Sequence, residues 1–160
     1  YTLRNNLQLG EDLSLLQDIP SQTIIYRDEI PLQPKPRLGG QSFLSDKSLK
    51  GRIKRFLRGN LFIPDSRISW RFFAPKTLKM IFKTHAIDLV MITAPPQTVH
   101  LIGHYIQKKY SVKVIHDFRD PWTKAFFLKE FKRSFLAERF DYYLEQKIVR
   151  SASGIISVSQ

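Results

Sequence analysis

The second half of the chain carries the clearest pattern of apolar and polar positions. Three short apolar runs, at residues 87–93, 112–115 and 154–159, have the length of buried strands. The first of them, IDLVMIT, is almost entirely apolar, so we expect both of its faces to be buried in a sheet. Between the runs, apolar residues recur three or four positions apart, which predicts helices over residues 99–110 and 136–148. The order strand, helix, strand, helix, strand predicts a βαβαβ unit with a parallel sheet.

Residues 1–60 follow no comparable pattern. Residues 23–27 alternate weakly and are rich in β-branched side chains, which predicts one strand. Residues 31–40 contain three prolines and two glycines, a composition typical of a loop. We therefore predict an irregular first part, followed by the βαβαβ core at residues 61–160.

A further helical period lies between Ser66 and His85. Pro75 falls inside it, so we expect this proline either to start a second helix or to kink the first. The chain begins at Tyr1 rather than at a methionine, and it ends in the strand-like run at residues 154–159. We therefore expect a fragment, truncated at both ends, in which residues 1–160 form one incomplete α/β domain.

The composition is that of an ordinary globular protein with a large excess of positive charge. Hydrophobic residues make up 42% of the 160 residues, whereas Lys and Arg outnumber Asp and Glu by 26 to 14, a net charge of +12. This charge calls for an anionic partner, and nucleic acid, an anionic membrane surface and phosphorylated ligands all stay open. The absence of cysteine excludes disulfides and thiolate metal sites, and it fits a reducing cytoplasm.

Two stretches concentrate the cations. Residues 47–58 mix lysines and arginines with Leu49, Ile53 and Phe56 at near-helical spacing, which predicts a basic amphipathic helix suited to an anionic bilayer. Residues 124–135 form a second basic stretch that is rich in phenylalanine. Each stretch is equally compatible with a solvated charged face over core aromatic side chains.

In open α/β sheets, ligands bind beyond the carboxyl ends of the strands, and this rule points first to residues 93–98. Pro95 and Pro96 stiffen the turn, while Gln97 and Thr98 lie where a helix begins and leaves backbone N–H groups free. Such a terminus suits a phosphate or a sugar hydroxyl. The alternative is a stiff turn with a capping residue and no ligand.

The second segment, His116 to Trp122, follows the next predicted strand and holds more chemistry. Asp117 and Asp120 can accept hydrogen bonds from hydroxyl groups or act as bases, and Arg119 can hold a phosphate or carboxylate with two hydrogen bonds. His116 can donate a hydrogen bond or carry a proton, and Trp122 offers a flat face for a sugar ring. In the alternative reading, Arg119 ties the two aspartates together, while Trp122 packs the loop.

His100 and His104 lie four residues apart on a predicted helix, which is a spacing found in pairs of metal ligands. The H-E-x-x-H frame of such sites is missing, so we predict no metal site.

Four segments, in the same order along the chain, resemble family 4 glycosyltransferases. Residues 87–96 (IDLVMITAPP) are similar to the DVIIxSxPP strand and turn of that family, and residues 114–122 (VIHDFRDPW) to its xxDFRDPW. Residues 144–159 (LEQKIVRSASGIISVS) resemble LExxxxxxADxIIxVS, although Ser153 stands where Asp is common. Residues 64–70 match a PDxxxxW segment, so the resemblance covers about residues 61–160.

This resemblance implies a Rossmann-like parallel sheet flanked by helices, the N-terminal, acceptor-side half of a GT-B enzyme. It implies that Asp117 and Asp120 are catalytic, and that substrate contacts come from Pro95, Pro96, Gln97, Thr98, His116, Arg119 and Trp122. A second domain, after Gln160, would bind the nucleotide-sugar donor, and no metal or other cofactor is expected. Such an enzyme retains anomeric configuration, whereas this fragment alone is expected to be inactive.

The expected partners are a nucleotide sugar and a glycan or lipid-linked acceptor, with residues 47–58 and 124–135 meeting an anionic membrane. Such an enzyme would be cytoplasmic and peripheral at the inner face of the membrane. Two other classes stay open. A basic nucleic-acid-binding module would explain the charge, but no recognised fold signature or base-stacking pattern accompanies it, so we expect no nucleic acid. A sugar-nucleotide epimerase of the same architecture is disfavoured only by the resemblance of the PP turn and DFRDPW.

Overall fold

The computed structural model describes residues 1–3, 17–28 and 48–158 of the chain. The chain divides into two compact units, Tyr1–Gly40 and Gln41–Gln160, which are described separately. The predicted βαβαβ core lies entirely in the second unit. The predicted loop at residues 31–40 lies outside the described residues.

The first unit contains a short parallel pair of strands, β1 (Thr2–Leu3) and β2 (Arg27–Asp28). The Tyr1 hydroxyl donates a hydrogen bond to the Asp28 carboxylate. The strand predicted at residues 23–27 is displaced, because the Thr23 N–H donates to the Pro20 carbonyl at 2.9 Å and closes a turn there. The strand conformation therefore begins only at Arg27.

The second unit confirms the predicted order of strands and helices. Its elements are α1 (Leu49–Leu61), α2 (Trp70–Thr84), β3 (Leu89–Ala94), α3 (Thr98–Tyr110), β4 (Lys113–Phe118), a 3-10 helix (Phe126–Phe131), α4 (Phe135–Ser151) and β5 (Gly154–Ser157). The three strands form a parallel sheet in the order β3-β4-β5. The unit is thus an α/β structure with a parallel sheet flanked by helices, consistent with a Rossmann-like fold.

Helices cover one face of this sheet. Both crossovers connect neighbouring strands in the same direction, so right-handed connections place α3 and α4 on the same face. On the other face, Leu89 is 51% exposed and Met91 is 56% exposed. The prediction that residues 87–93 are buried on both faces is therefore wrong, because an apolar run indicates a strand without showing how many helices cover it.

The helix expected between Ser66 and His85 begins at Trp70, and Pro75 lies inside it without ending it. The helix α2 packs against α3, where the Phe82 and Tyr110 rings stack with centroids 3.9 Å apart. Beside the sheet lies a core cluster of buried residues, Ile63, Trp122, Ala137, Leu144 and Ile148. Within the described part of the chain, no helix is long and apolar enough to cross a membrane.

Candidate functional site

The carboxyl edge of the sheet brings the two predicted segments together. The register pairs Thr93 with Asp117 and Ala94 with Phe118, so the segments that follow β3 and β4 begin side by side. One boundary needs correction, since β4 runs to Phe118 rather than ending at Ile115. His116 and Asp117 therefore lie in the strand, not in the loop after it.

Because they lie in a strand, His116 and Asp117 point to opposite faces of the sheet. His116 faces α3, since a Cβ atom built on Gly103 would lie 3.0 Å from its Cε1 atom. Asp117 lies on the face away from α3, between Thr93 of β3 and Ile156 of β5 in the register. The two side chains therefore cannot act as neighbours in one site.

His116 is fully buried and forms a pair with His100 of α3. Both side chains are 0% exposed, and their Nδ1 atoms are 2.9 Å apart. A hydrogen bond between two neutral imidazoles needs one N–H and one lone pair at the shared position, so the rings hold opposite tautomers. Burial lowers the pKa of His100 from 6.5 to about 3 and that of His116 to about 4. The pair is thus neutral at physiological pH and is shielded from any ligand at the open edge.

Aromatic rings surround this histidine pair. The His100 ring stacks on Phe118 at a centroid distance of 4.1 Å and on Trp122 at 5.8 Å. Gly103 makes the approach of α3 to the sheet feasible, because its missing Cβ would lie 2.8 Å from Cγ1 of Ile92. The pair therefore belongs to the packing between α3 and the sheet.

The turn between β3 and α3 is held by Asp65, an acidic residue 33 positions upstream of Thr98. The Asp65 carboxylate accepts the Thr98 N–H at 2.7 Å and the Thr98 hydroxyl at 3.0 Å. The next two amides of the helix, those of Val99 and His100, donate to the carbonyls of Pro96 and Gln97 at 3.1 and 3.0 Å. A phosphate at this helix terminus would have to displace Asp65, so the expected anion site is already filled by the protein's own carboxylate.

Among the turn residues, exposure separates the candidates. Pro95 is exposed, Pro96 and Gln97 are half-buried, and Thr98 is fully buried. Pro95 is therefore the best placed of the four to contact a ligand at the edge of the sheet.

Arg119 and Asp120 follow β4 directly and are exposed. Across residues 1–3, 17–28 and 48–158, neither side chain has a hydrogen-bond or ion-pair partner. The alternative in which Arg119 joins Asp117 and Asp120 is therefore wrong, because the guanidinium forms no ion pair with either carboxylate. Asp117 is only 4% exposed, and its carboxylate likewise has no partner among the described residues. Arg119 and Asp120 are therefore open to solvent at the edge of the sheet, whereas the Asp117 side chain is largely buried beside them.

Trp122 is part of the core rather than an open platform for a sugar ring. It is 3% exposed, and its indole N–H donates to Oδ1 of Asp141 at 2.7 Å. Oδ2 of Asp141 receives the Arg133 guanidinium at 2.5 Å, and both side chains of this ion pair are buried. Burial raises the pKa of Asp141, while the bonds from Arg133 and Trp122 oppose that shift.

The Arg133 guanidinium also reaches the segment that carries Asp65. It donates to the Gly59 carbonyl at 3.0 Å and to the Pro64 carbonyl at 3.3 Å. One buried cation thus joins the end of α1, the loop before α2 and, through Asp141, the tryptophan that ends the DFRDPW segment. Arg133, Asp141 and Asp65 position the candidate site without belonging to it.

Sequence reasoning assigned no role to these three supporting residues, although two of them left a signal. Asp141 falls on the buried stripe of α4 with Ala137, Leu144 and Ile148, and a carboxylate on such a stripe needs a partner. Asp65 lies in the PDxxxxW segment at residues 64–70. Arg133 left none, because it is one of several cations in the stretch 124–135.

The side chains of His100 and His104, four residues apart on α3, contact different partners. His100 faces His116, whereas Nδ1 of His104 lies 3.0 Å from the Ser151 hydroxyl. Over the described ranges, no group of three or more His, Cys, Asp or Glu side chains is placed to hold a metal ion.

Comparison of the chain with protein-family models, with curated proteins and with solved structures gives no match.

Proposed function

We propose that this chain is the acceptor-side half of a retaining glycosyltransferase with a GT-B fold, acting on a glycan or lipid-linked acceptor. The nucleotide-sugar donor would be bound mainly by a second domain, and the carboxyl edge described above would form one wall of the cleft between the two. The enzyme would work in the cytoplasm, at the inner face of the membrane.

One observation carries this proposal. The register of β3 and β4 sets the exposed Pro95 beside a segment in which Asp117, Arg119 and Asp120 have no partner among the described residues. Parallel α/β sheets bind ligands at this edge. The order of four segments that resemble family 4 glycosyltransferases supports the choice of reaction.

The available groups suit a sugar acceptor. Ionised carboxylates accept hydrogen bonds only, so Asp117 and Asp120 match the O–H donors of a sugar, and one of them can take the proton of the attacking hydroxyl. The Arg119 guanidinium can hold a phosphate of a donor or of a lipid-linked acceptor in two parallel hydrogen bonds. The buried supports at Trp122 and Asp65 fix the two segments, which favours a precise distance between these groups.

The test is turnover by the protein with both domains present, incubated with a panel of nucleotide sugars and isolated membrane lipids. Mass spectrometry should show an acceptor that gains one sugar while free nucleotide is released. We expect Asp120→Asn or Arg119→Ala to lower kcat/KM by roughly a hundredfold or more without loss of fold. Asp88→Asn is the matched control, since Asp88 is an exposed carboxylate at the opposite end of β3.

Turnover at the parental level in both edge variants contradicts the assigned roles. A donor that changes into its epimer, with no acceptor gaining mass, points instead to a sugar-nucleotide epimerase. Equal losses in the edge variants and in Asp88→Asn mean that the carboxyl edge has no special part in the reaction.

A further inference from the structure

The helix α1 presents its apolar side chains to solvent instead of to the core. Its two buried residues are both glycines, Gly51 and Gly59. In contrast, all five of its large apolar side chains are exposed, namely Leu49 at 70%, Ile53 at 51%, Phe56 at 48%, Leu57 at 45% and Leu61 at 69%. At 3.6 residues per turn, Leu49, Ile53, Phe56 and Leu57 fall on one side of the helix. Gly51 lies on the opposite side, and Gly59 lies between the two sides.

The inward side of α1 is occupied by close backbone packing. A Cβ atom built on Gly59 would lie 2.6 Å from Cβ of Phe131 in the 3-10 helix. The Gly59 carbonyl accepts from Arg133, and the side chain of the next residue, Asn60, accepts the Ser134 N–H at 2.7 Å. The contacts of Gly59 hold one side of α1 against the protein. Asn60 falls on the apolar strip itself, at its C-terminal end, so the strip meets the protein there and is open to solvent at Leu49, Ile53, Phe56 and Leu57.

Cations border the outward apolar side on both flanks. Helical geometry places Lys50 and Lys54 along one flank and Arg52 along the other, and all three are exposed. No residue of α1 is acidic. An apolar strip with cations on both flanks is an arrangement that lies flat on an anionic bilayer, with the strip among the acyl chains and the cations at the headgroups.

We propose that the outward side of α1 binds the surface of an anionic lipid bilayer. The glycosyltransferase proposal and this one are independent, since each rests on different residues. The second basic stretch contributes less than its composition indicates, because Arg133 is buried in its ion pair with Asp141. Docking is therefore assigned to α1.

Two other occupants fit the same surface less well. A nucleic acid would need cations at the centre of the surface, where α1 has Ile53 and Phe56, since phosphates gain nothing from contact with apolar side chains. A second copy of the chain would pair this surface with itself across a two-fold axis. That pairing would bring the flanking cations of two chains, each with a net charge of +12, against one another.

The experiment is co-sedimentation of the 160-residue chain with vesicles. One set contains phosphatidylglycerol mixed with phosphatidylcholine, and the other contains phosphatidylcholine alone. We expect binding to the anionic set only, weakening as salt rises. The pair Lys50→Glu with Lys54→Glu should weaken it by more than roughly 25-fold, because each cation near an anionic surface contributes about fivefold. The matched control is Lys108→Glu with Lys109→Glu, which changes the same charge at the exposed end of α3.

A second pair of variants tests insertion of the apolar strip. Phe56→Ser with Leu57→Ser should lower binding at least tenfold through loss of buried apolar area, while Phe72→Ser, at an exposed position of α2, should leave it unchanged. In a Phe56→Trp variant, the added fluorescence should shift to the blue with anionic vesicles and be quenched by brominated lipid. Circular dichroism of each variant should match the parent, since the altered side chains are exposed.

Several results overturn the proposal. Equal loss of binding in the α1 variants and in their controls would show that net charge alone attracts the chain. Binding to both vesicle sets alike would remove the role of the cations. A concentration-dependent dimer that the Phe56 and Leu57 changes dissociate, with no vesicle binding, would assign the surface to a second copy. Salt-dependent binding to generic DNA without vesicle binding would assign it to nucleic acid.

Discussion

The helices α1 and α3 have the same length, 13 residues each, and both carry an apolar side, but they use it in opposite ways. The apolar side of α3 packs on the sheet, where Ile102 and Ile106 are 4% and 2% exposed. The apolar side of α1 faces solvent, and its glycines face the protein. An amphipathic pattern therefore predicts that a helix forms. Whether its apolar side faces the protein or the solvent depends on how the remaining residues of the helix pack.

Glycine has a different purpose in the two helices. In α3, Gly103 lets an otherwise apolar surface come close to Ile92 and His116. In α1, Gly59 lets the backbone approach Phe131 and exposes its carbonyl to the Arg133 guanidinium. A small-residue contact and a buried cation thus hold the side of α1 that carries Gly59 against the protein, while Leu49, Ile53, Phe56 and Leu57 stay exposed.

The buried cation should therefore be the most sensitive point of this comparison. We expect Arg133→Ala to lower the free energy of unfolding by about 3–5 kcal/mol, because it leaves the Asp141 carboxylate buried without its ion-pair partner. Urea unfolding followed by circular dichroism measures this change. Arg52→Ala, at an exposed position of α1, is the control and should stay within about 0.5 kcal/mol of the parent. A loss from Arg133→Ala no larger than that of the control would mean that the ion pair does not hold α1.

The same truncation made in both helices tests the comparison directly. We expect Ile106→Ala in α3 to cost about 2–5 kcal/mol of the free energy of unfolding, because a 2% exposed side chain leaves a cavity. Ile53→Ala in α1 should change it by less than about 0.5 kcal/mol, since that side chain is 51% exposed. Urea midpoints of the two variants measure the difference. Comparable losses of stability would mean that Ile53 is buried in solution, in contrast to its 51% exposure in the structure.

The arrangement of strands and helices in the second unit could be predicted from the sequence, because each element there repeats one period over several residues. The end of β4 was misplaced, since His116 and Asp117 are polar and so resemble a loop. Polar residues are a poor indication of a strand's end there, because an imidazole can be buried when a second imidazole accepts or donates its hydrogen bond.

The edge of the sheet that carries the candidate site could be predicted from the sequence, but not which side chains of the two segments face a ligand. The rule for parallel sheets points to both segments, and the register sets them side by side. Which side chains face outward depends on distant partners such as Asp65 and Asp141, and a local pattern contains no information about contacts 33 or 19 residues away. Trp122 and Thr98 were therefore assigned to the ligand, whereas the fold uses them internally.

Acid should destabilise the packing between α3 and the sheet, where His100 and His116 are buried. The folded pKa values of His100 and His116 lie below the unfolded value of 6.5, so the unfolded chain binds more protons as the pH falls. Stability is fully present above pH 6.5 and should fall by about 2 kcal/mol for each histidine by about pH 5. Urea unfolding across this range measures the slope, and His116→Leu should reduce it by about half. A slope that His116→Leu leaves unchanged would assign the acid sensitivity to other groups.

The smallest expected effects concern the first turns of the two helices, which are capped in different ways. In α1, the Ser48 hydroxyl, immediately before the helix, accepts the Gly51 N–H at 3.0 Å, a local contact that any isolated helix could form. In α3, the cap is the Asp65 carboxylate, which exists only once distant parts of the chain have met. We expect Asp65→Ala to cost about 1.5–3 kcal/mol, because hydrogen bonds to an ionised group are lost. Ser48→Ala should cost only about 1 kcal/mol.

Urea unfolding of Asp65→Ala and Ser48→Ala tests whether α3 depends on the tertiary structure more than α1 does. Asp65→Asn keeps one acceptor oxygen and removes the charge, so it should fall between the parent and Asp65→Ala if the attraction between the carboxylate and the helix N-terminus matters. If Ser48→Ala is the more damaging change, α1 is held mainly at its own first turn. Its outward rotation would then depend less on Gly59 and Arg133 than their contacts indicate.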